Sequence, residues 1–294
     1  MTSRTLTAQR PGPIHLNVDL PVGKVTIVAD RATEYAEVTI TTTGDAAHLA
    51  DAVEAAVVLW DTPSDTLSVT VPAVASTGRT VIGDVGTTIP AGASVTGLTI
   101  TNSGVLAVSG DLVIDGVAVS GSGTVLGAGS GTIEVIARVP EDCQVAVRTE
   151  SADVRAVGEY CDVDTVTVSG DVAVDSTLHL DAKSTSGDVF AEVTAVAVVH
   201  TVSGSVQLNR SEEARITSMN GSVRLPNCWG SVNLHSKSGD IGVHVTDIAE
   251  IRARSMSGDI TITADAAMLR WNAVSVDAES KSGRVTTPRT SGGA

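Results

Sequence analysis

Residues 184–209 read STSGDVFAEVTAVAVVHTVSGSVQLN and contain two copies of one motif, Ser/Asn-Gly-X-Val/Ile. The C-terminal half of the chain holds seven copies, whose glycines follow one another at intervals of 17, 17, 17, 18, 19 and 25 residues: Gly170, Gly187, Gly204, Gly221, Gly239, Gly258 and Gly283. A short, regular period is typical of repeat architectures in which each unit packs on the unit before it. The sequence therefore predicts an all-β fold, a single-stranded β-solenoid (β-helix) with rungs of 17–19 residues.

One unit, residues 186–202, predicts two strands and two corners. Gly187 lies in the first corner, where we expect glycine because a tight turn often requires a positive φ. Alternate residues of the next strand point inward, beginning with Val189. Residues 194–196 form the second corner, and residues 197–202 form the return strand.

Stacked units would place like residues above one another. The fourth motif position is Val or Ile in every copy: Val172, Val189, Val206, Val223, Ile241, Ile260 and Val285. The sixth position is also apolar: Val174, Ala191, Leu208, Leu225, Val243 and Ile262. Burying one valine contributes on the order of 1.5 kcal/mol or more, so a single rung does not offset its own chain entropy but a stack does.

The composition limits both the core and the partners. Aromatic residues make up only 2% of the 294 residues, so the core must consist of Val, Ile, Leu and Ala. The formal net charge is −15. This charge argues against nucleic acid as a partner, because a phosphate-binding surface needs clustered Lys and Arg. It argues equally against adsorption to an anionic membrane.

Cysteine usage and the N-terminus predict the compartment. Cys143, Cys161 and Cys228 are an odd number without a CxxC pair, which indicates free thiols and a reducing environment. Residues 1–10 lack the apolar segment of a signal peptide, and no run of 18 apolar residues occurs. We therefore expect a cytoplasmic protein without a membrane span.

The chain before the regular repeats is also rich in predicted strands. Alternation of apolar and polar residues predicts strands at 14–20, 25–29 and 38–42. Residues 45–58 favour a short helix capped by Asp45, although residues 57–60 also fit a strand. A turn at 63–65 would join that strand to residues 67–71 as a hairpin. Ala152 stands where a degenerate copy of the motif would have its glycine.

These patterns predict four regions. Residues 1–75 form a small N-terminal β-hairpin and short-helix cap. Residues 76–130 are rich in Gly, Ser and Val, and they form either irregular rungs or an inserted β lobe. Residues 131–288 form the regular solenoid, closed by a C-terminal cap in which Trp271 plugs the end of the core. Residues 289–294 form a disordered tail.

Few residues suggest chemistry. The third motif position holds an acidic column broken by Ser and Arg, namely Asp171, Asp188, Ser205, Ser222, Asp240, Asp259 and Arg284. Stacked carboxylates could bind calcium, but capping of the turns is the simpler interpretation. The six histidines show no metal-ligand spacing, and His235 and His244 are the closest pair. No nucleophile elbow, phosphate loop or dinucleotide motif occurs, so we predict no catalytic, metal or cofactor-binding residues and no cofactor.

The order of these features resembles one bacterial family. Residues 19–23 (DLPVG) join the first strands, Val139-Pro140 precedes the Ser/Asn-Gly-Asp/Ser-Val/Ile units, and residues 281–285 (KSGRV) close them. This order is similar to that of β-strand-repeat proteins of unknown function labelled "putative adhesin", especially the actinobacterial type without a signal sequence. The resemblance covers residues 14–75 and 131–288, and residues 76–130 depart from it. It implies a repeat fold and no catalytic residues.

Three hypotheses about function follow. The first is a non-enzymatic, adhesin-like β-solenoid scaffold that binds an unknown protein or glycan along an exposed strand face. The second is a carbohydrate-active β-helix enzyme, which needs three or more carboxylates or basic groups converging on one groove. The third is a phage-like or surface-assembly protein that trimerises. The sequence leaves the oligomeric state open.

Overall fold

The computed structural model describes residues 2–43, 47–73, 105–108, 112–114, 117–119, 123–126, 132–271 and 273–288. Before the repeats lie six strands and one helix: β1 (Ser3–Thr7), β2 (His15–Leu20), β3 (Lys24–Ala29), β4 (Glu37–Thr43), α1 (Ala47–Glu54), β5 (Val57–Asp61) and β6 (Thr66–Thr70). The strands at 14–20, 25–29 and 38–42 and the 57–71 hairpin are confirmed, because β5 and β6 pair antiparallel. The proposed cap of α1, Asp45, lies outside the described residues.

The repeats form the rungs of a parallel stack. Two strands lead into it, β11 (Thr132–Val139) and β12 (Gln144–Thr149). The rungs are β13 (Asp153–Thr167), β14 (Val172–Ser184), β15 (Val189–Thr201), β16 (Val206–Ser218), β17 (Val223–Ser236) and β18 (Ile241–Ser255). The stack ends with β19 (Ile260–Ala264), α2 (Ala266–Arg270), β20 (Val274–Ser280) and β21 (Val285–Thr286). Val172 pairs with Val189, Val189 with Val206, and Val206 with Val223, so the predicted solenoid is confirmed.

Each rung is one strand that bends, rather than two separate strands. In β14 the inward residues are Val172 and Val174 before the bend and Leu180, Ala182 and Ser184 after it. The alternation changes phase at the bend, where Thr177 is buried and its hydroxyl donates to the carbonyl of His179. The predicted second corner is therefore a bend in a strand that stays paired with its neighbours along its length.

The bends and the Ser-Gly turns give the stack two walls. We call the wall formed by residues before the bend the first wall; it contains β3, β4, β11 and the first arms of β13–β18. The second wall contains β6, β2, β12, the second arms of β13–β18 and β20. Inward side chains of both walls belong to one continuous apolar cluster.

Strands β2 and β3 occupy a level of the stack itself. On the first wall, β3 pairs with β11 and with β13, and on the second wall β2 pairs with β6 and with β12. The turn at Gly23 lies next to the turn at Ala152, since the Asp153 N–H donates to the Gly23 carbonyl. More than a hundred residues of chain separate these two neighbouring turns.

The core is aliphatic, as the composition predicts, with one buried aromatic residue among the described core residues. Tyr160 is 2% exposed, and its hydroxyl lies 2.9 Å from the carbonyl oxygens of both Ile27 and Val157. Burial raises the pKa of this phenol above its ordinary value. Tyr160 therefore links β3 to the rung beside it with its polar end satisfied inside the core.

The C-terminal end differs from the expected plug. Trp271 is 76% exposed, and α2 has no buried residue. The prediction that Trp271 closes the core is wrong, because α2 lies in the connection between β19 and β20. The inward residues of β20 are only half-buried: Val274, Val276 and Ala278.

Most of residues 76–130, and the tail 289–294, lie outside the described residues. Four short strands are described in the former: β7 (Val105–Val108), β8 (Leu112–Ile114), β9 (Val117–Val119) and β10 (Gly123–Leu126). β7 pairs antiparallel with β10, and β8 pairs antiparallel with β9. The division of the chain into four regions stays a prediction.

Candidate functional site

The turns of the stack need glycine because neighbouring backbones touch. A Cβ built on Gly221 would overlap the carbonyl oxygen of Gly204, and the same overlap recurs at each of the seven motif glycines. None of the seven has a positive φ; among the described residues that property belongs to Gly12, Gly23, Gly158 and Gly230. The expectation that positive φ explains the motif glycine is therefore wrong.

A column of hydroxyl groups supports the same turns. Ser or Thr stands three residues before each glycine, and its hydroxyl bonds to the backbone of its own turn or of the turn beside it. Ser218 is 2% exposed; it donates to the Gly221 carbonyl at 3.0 Å and accepts from the Gly221 N–H at 2.9 Å. The sequence analysis did not identify this column. The signal was nevertheless present, because the position three residues before each motif glycine is always Ser or Thr. With this column included, the motif is Ser/Thr-X-Ser/Asn-Gly-Asp/Ser in six copies, and the seventh has Arg284 in the last position.

The acidic column caps the turns, as the simpler interpretation predicted. The Asp171 carboxylate accepts from the Asp188 N–H at 2.9 Å, and the Asp188 carboxylate accepts from the Ser205 N–H at 2.7 Å. Asp153, Asp240 and Asp259 make the same bond to the next rung. Among the described residues, no three His, Cys, Asp or Glu side chains come together to form a metal-binding group.

The outward surface of the second wall has an ordered arrangement of charge. Each rung from β12 to β18 presents three outward residues there, and the strand pairing aligns them in three columns. The first column is Arg148, Val166, Lys183, His200, Thr217, His235 and Arg254. The second is Ala146, Asp164, Asp181, Val198, Arg215, Asn233 and Arg252. The third is Gln144, Asp162, His179, Val196, Glu213, Ser231 and Glu250.

The columns place an acidic end and a basic end on one surface. Asp162, Asp164 and Asp181 lie on β13 and β14, at the acidic end. The basic end of these columns, formed by β16–β18, holds Arg215, His235, Arg252 and Arg254 in the first two columns. The third column of the same strands holds Glu213 and Glu250, and β20 beyond them holds Asp277 and Glu279. The row between them, on β15, is Val196, Val198 and His200. Charged residues that are neighbours in a column are 17 or more positions apart in the sequence. The order of charge along the wall is therefore set by the register in which the strands pair.

Several of these charges already have partners. Lys183 lies 3.2 Å from Asp181, and Arg252 lies 2.6 Å from Glu250. The Arg254 guanidinium contacts both Asp277 and Glu279, on the last strand of the wall. No ion pair is found for Arg215 or His235 among the part of the chain that is described. Exposed pairs of this kind contribute about 0–1 kcal/mol each, so the surface charges have little effect on folding.

His235 and His244 lie on opposite walls of the stack. His235 lies on the second wall beside Arg254, whereas His244 lies on the first wall. The His244 Nδ1 lies 2.8 Å from the Thr263 hydroxyl, and its Nε2 lies 3.4 Å from Asp265. The closest pair in sequence is therefore separated by the thickness of the stack.

A shallow groove of about 730 Å³ lies near the bends of β16–β18. Two irregularities create it: Gly230, with φ of +71°, and an extra residue that leaves Ile248 68% exposed. Two carboxylates line the groove, Glu213 and Glu250, and Ser231 lies between them in the same column. A smaller hollow of about 270 Å³ on the first wall lies over Gly242.

The three cysteines are free, and two of them are buried. Burial raises the pKa of Cys228 to about 12, and burial also raises the pKa of Cys143, whose Sγ accepts from the Ile14 N–H at 3.2 Å. Since the thiolate is the reactive form, we expect the native protein at pH 8 to react rapidly at Cys161 alone with an aromatic disulfide reagent. All three should react in denaturant. Rapid labelling of Cys228 in the native state would contradict its placement in the core.

Within the described parts of the chain, no helix has the length and apolar character that crossing a bilayer requires.

Comparison with known proteins relates this geometry to a family. No curated protein matches the sequence. A crystal structure from Parabacteroides distasonis ATCC 8503, titled "Putative lipid binding protein", aligns with a TM-score of 0.44 and 11% identity over 98% of this chain and 96% of that one. Residues 162–292, which begin in β13 and include all the later rungs, match the family model described as Toastrack DUF4097.

Proposed function

We propose that this protein is a non-enzymatic binding scaffold that engages a macromolecule along the outward surface of its second wall. The observation that supports this proposal most strongly is the charge order of that surface. Arg215, His235, Arg252 and Arg254 lie together on β16–β18 of this wall in a chain of net charge −15. Complementary charge on a partner would set both the register and the rate of association.

The shape of the wall suits an extended partner. The outward residues recur at the spacing of neighbouring strands, about 4.8 Å, over seven rungs. A protein or a glycan that lies along the stack would contact several rungs at once. The match of residues 162–292 to the Toastrack DUF4097 family model agrees with a repeat scaffold. The three free thiols agree with a reducing compartment.

The enzyme hypothesis has less support. It required three or more carboxylates or basic groups in one groove, and the groove of about 730 Å³ is lined by two, Glu213 and Glu250. Glu250 is also engaged by Arg252 at 2.6 Å. We therefore favour binding over glycoside hydrolysis for this surface.

A capture experiment with matched variants tests the proposal. The immobilised full chain is exposed to extract of the source organism and to a panel of neutral and acidic glycans. We expect at least one macromolecule to bind, and its affinity to fall about tenfold or more when Arg215 and Arg252 are both changed to Ser. The control changes Arg155 and Arg224, two exposed arginines of the first wall, to Ser and removes the same charge.

Two results would overturn the proposal. One is binding that both double variants weaken equally, because the second wall would then have no special role. The other is turnover of a glycan that is abolished by Glu213→Gln or Glu250→Gln, which would make the groove an active site.

A further inference from the structure

The second wall carries a pattern that its basic end alone does not explain. Charge changes sign along the second column, from Asp164 and Asp181 to Arg215 and Arg252, with Val198 between them. A column in which carboxylates are followed by arginines is complementary to itself when one copy is turned end for end. We infer that the occupant of this surface is a second copy of the chain. This inference rests on the proposed function and names its partner.

The symmetry that fits the pattern is a two-fold axis along strand β15. Rotation about an axis in the interface, parallel to this strand, keeps each column opposite itself and reverses the order of the rungs. Val198 then faces Val198 of the other copy, and Val196 faces Val196. These two half-buried valines form the one row between β12 and β18 that has two aliphatic residues pointing outward.

In the second column the rows beside the axis then meet with opposite charge. Asp181, which also lies 3.2 Å from Lys183 of its own chain, faces Arg215 of the second copy, and the symmetry makes this contact twice. In the third column His179 faces Glu213, and in the second column Asp164 faces Asn233. Lys183 faces Thr217. Such an interface would exclude the parallel arrangement, in which Asp181 would meet Asp181.

The outer rows add no pair of opposite charges. Asp19 of β2 faces Glu279 of β20, which Arg254 contacts at 2.6 Å within its own chain. Gln144 faces Glu250, and Ala146 faces Arg252. Arg148 faces Arg254, whose charge is offset within its own chain by Asp277 at 2.9 Å and Glu279 at 2.6 Å. At 0.15 M salt the Debye length is about 8 Å, so the repulsion between two chains of net charge −15 is largely screened while contacts within the interface are retained.

The size of the surface agrees with a dimer. Seven rungs at about 4.8 Å and five residues at about 3.3 Å give a projected area of about 34 by 16 Å, or roughly 550 Å² per copy. Side-chain relief makes the accessible area larger than the projected area. The buried area for the two copies together is therefore near the roughly 1,200 Å² at the lower end of standard protein interfaces, which fits a weak dimer.

Sedimentation of the full chain at 0.15 M salt tests the inference. We expect a dimer at concentrations near 100 µM. The dissociation constant should rise at least about tenfold in each of the two single variants, Arg215→Asp and Asp181→Arg. The double variant Asp181→Arg with Arg215→Asp restores opposite charge and should recover the dimer to within about threefold of the original. The control Arg224→Asp, on the exposed first wall, should leave the constant unchanged.

Recovery of the dimer in the double variant distinguishes a lost contact from a damaged fold. The double variant contains both single substitutions, so neither of them can have prevented folding if the dimer returns. Three results would each overturn the inference. The wild-type chain could be monomeric, the dissociation constant could be unchanged in both single variants, or the double variant could remain monomeric. If the wild type is monomeric but another macromolecule still binds in a manner that depends on Arg215 and Arg252, the proposed function stands and only the identity of the partner fails.

Discussion

Changing Gly221 to Ala is expected to destabilise the protein by more than about 4 kcal/mol or to prevent folding. A Cβ at this position would overlap the Gly204 carbonyl oxygen, and Gly204 is itself in contact with the turn at Gly187. The overlap involves backbone on both sides, so no side chain can move to relieve it. The turns would have to separate, which would break the rung pairing that the stack needs. Effects above 4–5 kcal/mol are exceptional for single substitutions. Denaturant unfolding followed by circular dichroism measures the loss.

The matched control is Gly242→Ala in the following rung, β18. Gly242 points outward on the first wall, and the nearest atom to a Cβ there is the Val223 carbonyl oxygen at 4.0 Å, which is ordinary contact. We expect a change within about 1 kcal/mol, with either sign, because alanine also reduces the entropy of the unfolded chain. Equal effects of the two substitutions would contradict the explanation by close approach of backbones.

Changing Leu208 to Ala is expected to cost about 2–5 kcal/mol. Leu208 is fully buried and belongs to the sixth-position ladder, where it packs in register with Ala191 of the rung before it. Ala191 is too small to fill the space that the lost side chain would leave. The rungs are fixed by their hydrogen bonds, so we expect a cavity to persist rather than collapse. Thermal and urea unfolding should both show the decrease.

Gln207→Ala serves as the control for Leu208. Gln207 is the preceding residue of the same strand, and its side chain points outward, where it donates to Asn209 at 2.8 Å. The expected change is within about 0.5 kcal/mol. A cost at Gln207 equal to that at Leu208 would mean that the inward and outward faces of β16 have been assigned in reverse.

The repeat, its rung length and its apolar ladders were determined by the sequence alone. Alternation of side chains within a strand is a local property, and a motif that recurs every 17–19 residues repeats the same local choice until the stack is specified. Val172, Val189, Val206 and Val223 therefore lie above one another as the period predicts. The capping role of the aspartates was also accessible, because Asp in a turn has few other uses.

Only the tertiary structure decided the features that depend on which backbones become neighbours. The motif glycines are required by contact with the turn before them, not by their own φ, and a single turn read alone cannot reveal that contact. Trp271 was expected inside the core and lies outside it. Strands β2 and β3 belong to the stack, although more than a hundred residues separate β3 in sequence from β13, with which it pairs. The charge order of the second wall also arises from register between rungs, because Asp181, Val198 and Arg215 come into one column only when strands pair.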